Sequence, residues 1–421
     1  MLSFLHNFLP SQNYKSGEIQ SELNQVPFQC QVEGSMILPP PSQDTDFKNF
    51  WETFLRYFNR HVPLDAALLK ARAAIEEQQP EEALLSLESI DLSRLGPLSQ
   101  AIYYCLKGQG WLLLKEYDKE ISAFQEAIRV LEIGKPLTSV QIVWVHNWLA
   151  TALYEQGKIT QSLEELHLCL KSSSPYFIQT GRLRMKVLLN LGHVNTALGQ
   201  YQQALDNYGQ ALALIQVKGE QEKLDLAGIY WGLGFAYRSK ENFTRARLFL
   251  DKTLALFLEA GNLIMVTRVQ NLLGLVLIEK GELKEAEQIL KQALVTAEAL
   301  PDTKRDYVVL TRTSNNLAFL FKLQERWVEA QEWATISLGY AEKLTEPLLV
   351  SRVRVDLAEI NLSLGRPVEA IKLFNSAIAI IEQPKITKGC WQIYYRYGVA
   401  LRHMGHLQEA FDILSRGYML T

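Results

Sequence analysis

The chain has 421 residues, a formal net charge of −3 and 48% hydrophobic residues. That apolar share is ample for a folded chain, and the near-neutral charge argues against a general nucleic-acid binder. No run approaches the roughly 18 consecutive apolar residues of a membrane span, and the start, "MLSFLHNFLP", lacks the basic opening of a secretory signal.

Taken in chain order, residues 1–45 are rich in Gln, Ser, Pro and Glu and are expected to hold little fixed structure. Residues 46–61 come next, with Phe47, Phe50, Trp51, Phe54 and Phe58 at helical spacing. Such an apolar stripe must be buried, either as a cap on the adjoining helices or by docking a partner or a second copy.

From residue 64 onward one signature recurs. A small residue sits within an apolar helix at Ala71, Gly108, Ala150, Gly192, Gly234, Gly274, Ala318, Ala358 and Gly398. Twelve positions on stand Ala83, Glu120, Ser162, Ala204, Ala246, Ala286, Ala330, Ala370 and Ala410. Four further on stand Leu87, Phe124, Leu166, Tyr208, Leu250, Leu290, Ala334, Phe374 and Leu414. A period of this length means a solenoid of stacked supersecondary units. Each unit reads as two helices and a tight turn, the small residues letting the two backbones approach. Gly157, Gly199, Gly281, Gly365 and Gly405 fall where a left-handed turn residue is needed, while Glu241 and Glu325 stand there in two units. The predicted architecture is all-α, a right-handed superhelical solenoid of about nine antiparallel helix pairs over 64–421. Its last helix carries Phe411, Leu414 and Tyr418, an apolar edge suited to self-association or partner docking.

In "LGHVNTALGQYQQALDNYGQALALI", residues 191–215, these columns resemble the tetratricopeptide repeat (TPR) family. The resemblance covers most of the chain. The steps between small residues are 37, 42, 42, 42, 40, 44, 40 and 40, longer than the family's 34-residue unit. Units of this length resemble those of bacterial peptide-sensing TPR regulators and of adaptor proteins.

The resemblance implies a concave groove lined by the first helix of each unit, with ligand-facing positions at −6, −3, +1 and +4 from the small residue. Those columns, with a few flanking residues, give Lys186, Arg268, Asn271, Arg312, Asn315, Asn316, Arg352, Trp231, Arg238 and Lys322 as groove candidates. Side-chain amides can both donate to and accept from a peptide backbone, and arginine offers forked donors to carboxylate or phosphate. The family's lysine/asparagine clamp for a C-terminal carboxylate has no full match here.

No catalytic constellation stands out. "GLG" at Gly232–Gly234 has no preceding strand, and His403 and His406 lack a third metal ligand. No cofactor and no enzymatic activity are expected. Four scattered cysteines (Cys30, Cys105, Cys169, Cys390) fit buried thiols in a reducing cytoplasm. The expected function is a protein–protein interaction scaffold whose groove binds a peptide or extended segment of a partner, itself acidic in character. The alternatives are a peptide-responsive TPR regulator that sequesters a protein and, further off, an RNA-binding helical repeat.

Overall fold

The computed structural model describes residues 65–133, 139–171, 181–217, 219–301, 305–344, 346–382 and 390–419. The N-terminal expectations, residues 1–45 and the aromatic segment 46–61 with Phe47, Phe50, Trp51, Phe54 and Phe58, lie outside the described residues, as does Cys30.

Among the described residues the elements are α-helices, apart from one 3-10 turn at Leu92–Arg94. They fall into two compact units. The described part of one runs through residue 262 and holds α1 (Ala66–Glu76), α2 (Pro80–Glu88), α3 (Pro97–Leu113), α4 (Tyr117–Ile133), α5 (Ser139–Glu155), α6 (Ile159–Lys171), α7 (Arg182–Ala197), α8 (Tyr201–Leu214), α9 (Glu220–Ser239) and α10 (Phe243–Glu259). The other begins at Leu263 and holds α11 (Leu263–Lys280), α12 (Leu283–Glu298), α13 (Tyr307–Leu323), α14 (Trp327–Ala341), α15 (Pro347–Ser363), α16 (Pro367–Ile381), α17 (Trp391–His403) and α18 (Leu407–Tyr418). Successive helices pair, so the first unit has five repeats and the second four.

The turn inside each pair repeats one geometry. In repeat 6 the N–H of Gly281 donates to the Ile278 carbonyl at 3.0 Å and that of Glu282 to the Leu277 carbonyl at 2.8 Å. Gly281 has φ 86°, the left-handed value that closes a helix C-terminus. Five of the nine turns have glycine here, whereas Gln78, Lys115, Glu241 and Glu325 take the same left-handed conformation with a side chain. Such a residue is strained by about 1 kcal/mol or more. Packing of the two flanking helices holds it there.

The small-residue column has a direct steric meaning. The side chain sixteen positions on lies over it: Phe124 over Gly108, Leu250 over Gly234, Leu290 over Gly274. Phe124, Leu250 and Leu290 are fully buried, and each such side chain contributes about 1.5–3 kcal/mol by leaving water. Tyr208 has two such seats. A Cβ on Gly192 of α7 or on Gly232 of α9 would fall under 3.0 Å from its ring. One aromatic ring thus keys three helices together. Gly192→Ala is expected to cost about 1–3 kcal/mol by overpacking. Gly209 is exposed, with nothing within 4 Å of a built Cβ. Gly209→Ala, in the same α8 helix as Tyr208, is therefore expected to stabilise by about 0.5–1 kcal/mol through helix propensity. Urea unfolding followed by circular dichroism measures both; equal shifts would refute the ring-and-glycine account.

Cys105, Cys169 and Cys390 are buried free thiols. Burial pushes the Cys105 and Cys169 thiols up, so both stay protonated and inert. Cys390 precedes α17 rather than lying within a helix. On α18, Phe411 and Tyr418 are exposed and Leu414 is half-buried. Among the described residues no helix is long and apolar enough to cross a membrane.

Candidate functional site

The first helices of repeats 6 to 9, α11, α13, α15 and α17, carry a run of polar side chains joined across helix after helix. The joints keep fixed registers.

The first register is an amide stitch. Asn316 Nδ2 donates to Asn271 Oδ1 at 2.9 Å, and Thr313 Oγ1 donates to the same oxygen at 3.1 Å. Asn271 stands three before its small residue and Asn316 two before the next. One repeat later, Asn315 Nδ2 donates to Asp356 Oδ2 at 2.8 Å in the same −3 to −2 register. The other unit uses it too: Asn190 Nδ2 donates to Asn147 Oδ1 at 3.0 Å. Each bond is worth about 0.5–1.5 kcal/mol net. Asn271, Asn315 and Asn316, ligand-facing by sequence register, therefore have amide groups engaged with the neighbouring repeat. Asn315 Oδ1 remains buried with no hydrogen-bond partner.

The second register pairs a base at −6 with an acid at −12 in the next repeat. Arg268 Nε and Nη2 donate to Asp306 Oδ2 at 2.9 and 2.6 Å. Asp306 is also the N-cap of α13, its Oδ1 accepting from the Val309 N–H at 3.2 Å. An acid at a helix start is favoured by the cap bond and by the helix dipole. Glu346 holds the same place before α15 and acts electrostatically on Arg312. In the other unit the register differs: Arg182 Nη1, ten before its small residue, lies 3.2 Å from Glu222 Oε1 at −12, and Lys186 Nζ at −6 lies 3.0 Å from Asp225 Oδ1 at −9. Lys186 and Asp225 are 3% and 5% exposed, so Lys186 belongs to a buried ion pair rather than an open face.

The third joint is a closed charge cluster. Lys322 Nζ donates to Glu359 Oε2 at 2.8 Å, and Arg396 Nε donates to Glu359 Oε1 at 2.6 Å. Arg396 Nη2 reaches Asp356 Oδ1 at 2.6 Å. Two acids and two bases thus bind α13, α15 and α17. Burial alone would raise the Glu359 carboxyl, but Arg396 and Lys322 outweigh it and hold it down at about 2. Burial opposes the charge on Arg396, while Glu359 and Asp356 more than compensate and push it up.

Arg268, Arg312 and Arg352 occupy one register on the first helices of three successive repeats, and Gln392 of α17 continues the row. Burial pulls the Arg312 guanidinium down, with Arg352 and Arg268 adding to the effect, while Glu346 and Asp306 push it up. Gln392 Oε1 is buried with no hydrogen-bond partner. Trp231 and Arg238 of α9 are each 7% exposed and lie within the first unit's packing.

The acids Glu222, Asp306, Glu346, Asp356 and Glu359, and the base Arg396, fall outside the groove candidates that sequence spacing gives. Three of them, Glu222, Asp306 and Glu346, sit twelve before a small residue and come after a repeat with a base at −6. That pairing of columns was the available signal. Among the described residues no group of three or more His, Cys, Asp or Glu is placed to hold a metal ion.

Residues 141–216 and 225–299 match the family model of the tetratricopeptide repeat. No curated protein sequence matches the chain. Solved structures share the fold. The apo form of the quorum sensor NprR from B. thuringiensis aligns with a TM-score of 0.63 at 16% identity, over 87% of this chain and 99% of its own. Apo RapI aligns with a TM-score of 0.61 at 14% identity, over 84% and 96%. NprR in complex with its cognate peptide NprX aligns with a TM-score of 0.50 at 16% identity, over 74% and 87%.

Proposed function

We propose that this chain, whose residues 141–216 and 225–299 match the tetratricopeptide repeat model, is a non-catalytic binding protein. Its ligand is a peptide or extended segment of a partner protein, held on the first-helix face of α11, α13, α15 and α17. It acts in the cytoplasm. The observation that carries the reading is the continuous polar row. Side chains of one register, Arg268, Arg312, Arg352 and Gln392, recur once per repeat along the first helices of successive repeats. Packed helices stand about 8–10 Å apart, and an extended chain advances about 3.3–3.6 Å per residue. A ligand crossing the helices therefore meets one row position about every third residue, which suits a peptide better than a compact molecule. The likeness to NprR, which in one structure holds its cognate peptide NprX, supports the same reading.

The test is selection from a display library of random short peptides, with hydrogen exchange then measured on the complex. Enrichment of binders, with slowed exchange in α11, α13, α15 or α17, is the expected result. The absence of any enriched peptide, or protection confined to the second helices α12, α14, α16 and α18, would overturn the proposal. Retention of single-stranded RNA that competes with the peptides would replace it with an RNA-binding reading.

A further inference from the structure

We infer that α18 pairs with the α18 of a second copy of this chain, antiparallel and across a two-fold axis. The inference stands on the outer face of this helix and does not depend on the peptide-binding reading.

Earlier second helices show what the same face does inside the unit. Sixteen positions after the small residue, Leu290, Ala334 and Phe374 are fully buried, and Phe374 stacks on Tyr397 of the next repeat with ring centres 4.7 Å apart. Their equivalent in α18, Leu414, seats on Gly398 in the same way but is half-buried. Twenty positions on, Leu294 and Ile378 are 5% exposed, whereas Tyr418 is 60% exposed. Thirteen positions on, Glu287 lies 3.8 Å from Arg326, and Gln331 accepts from Arg366 at 3.1 Å, each reaching the next repeat. At that place α18 carries Phe411, 51% exposed, and Leu407 one turn earlier is exposed to the same degree. Among the described residues no helix follows α18.

The spacing of the stripe says what fits it. Leu407, Phe411, Leu414 and Tyr418 are separated by four, three and four positions, which keeps them on one helix face. That spacing reads the same from either end. A two-fold axis between Asp412 and Ile413 therefore sets Leu407 against Tyr418 and Phe411 against Leu414 of the second copy. Aliphatic meets aromatic at every contact, whereas a parallel pair would set each side chain against its own kind.

Charge does not oppose this pairing. Arg416 is turned back onto its own unit, paired with Glu382 and 5.6 Å over the Tyr394 ring. Glu409 lies by His406, and Asp412 accepts from Gln408. At helical spacing all three charged groups fall on the side away from the stripe. Gln408 and Ser415, which border it, are uncharged.

The area fits a dimer that forms and separates. With about 200 Å² for an aromatic side chain, the stripe offers roughly 350 Å² of apolar surface per copy. Two copies give about 700 Å², and since a little over half of an interface is apolar, the whole contact comes to about 1,200 Å². That is the lower limit for specific interfaces.

The experiment is sedimentation velocity on the full chain over a concentration series of about 1 to 200 μM, with circular dichroism on each variant. Wild type is expected to pass from the mass of one copy to that of two. Phe411→Asp is expected to weaken association at least about tenfold. Val295→Asp, at a 68% exposed site on α12, is expected to leave it unchanged. Cross-linking reads the geometry, in a Cys30→Ser background whose remaining thiols are buried. Leu407→Cys mixed with Tyr418→Cys is expected to form a linked pair several-fold faster than Leu407→Cys by itself. A one-copy mass at every concentration, association as strong in Phe411→Asp as in wild type, or equal linking in the mixture and in Leu407→Cys would each overturn the inference.

Discussion

Glu359→Gln is expected to destabilise the unit that begins at Leu263 by about 3–5 kcal/mol, the cost of breaking a buried ion pair from one side. Glu359 is 3% exposed and accepts from both Lys322 and Arg396. Without its charge, Arg396 keeps only Asp356 and Lys322 loses its acid. The pH dependence has a definite sign. The carboxyl is held at about 2 in the folded state against an ordinary value of 4.5. Its contribution is thus fully present above about pH 4.5 and is lost as pH falls toward 2. Urea midpoints at pH 7 and pH 3 should differ more for wild type than for Glu359→Gln. A variant as stable as wild type at pH 7 would mean the cluster contributes nothing net.

Glu120→Gln is expected to do the opposite and stabilise the protein at alkaline pH. Glu120 is 1% exposed, and its Oε2 has no hydrogen-bond partner. Burial, with the nearby Glu155 carboxylate adding to it, pushes its pKa up to about 9 from 4.5. The folded chain therefore holds a proton that the unfolded chain releases. This contribution to stability is complete below about pH 4.5 and is lost as pH rises toward 9. Glutamine imitates the protonated acid at every pH. At pH 8 the variant should exceed wild type by about 2–3 kcal/mol, below the full value of the shift at about 1.4 kcal/mol per pKa unit. At pH 5 the two should be nearly equal. Parallel stability curves across pH 5–8 would show that Glu120 is ionised and paired in the folded protein.

These two acids also mark how far the sequence could be read. Glu120 is visible as an anomaly, because it stands in a column of alanines. Its consequence needs the structure, which shows the side chain buried and unsatisfied. The helix pairs are readable because small residues and the side chains seated on them recur at a fixed step, as with Gly192 and Tyr208. The turns at Gln78 and Lys115 are not, since local sequence gives no reason for a left-handed glutamine or lysine, and packing on both sides supplies it. The polar face is legible only in part. The columns implied by the resemblance mark Arg268, Arg312 and Arg352 as groove candidates, and they mark the asparagines beside them as well. Any residue at −3 looks solvent-facing on a single helix. Only the neighbouring helix reveals that Asn271 meets Asn316 and that Asn315 meets Asp356. The −2 column, which holds Asn190, Asn316, Asp356 and Arg396, is therefore the missing line.

The paired registers have a consequence for how such a chain can change. Arg268 needs Asp306 ahead of it, Asn271 needs Asn316, and Asp356 needs Arg396. Each of these repeats carries half of a lock on its leading side and half on its trailing side, and some halves differ from joint to joint. The apolar columns are nearly interchangeable, so they alone would let repeats be shuffled, skipped or paired with those of another copy. The polar joints oppose this where they differ, since moving α13, α15 or α17 would leave Lys322, Glu359, Asp356 and Arg396 unmatched. A duplicated or transplanted repeat must therefore bring its neighbours' complements with it.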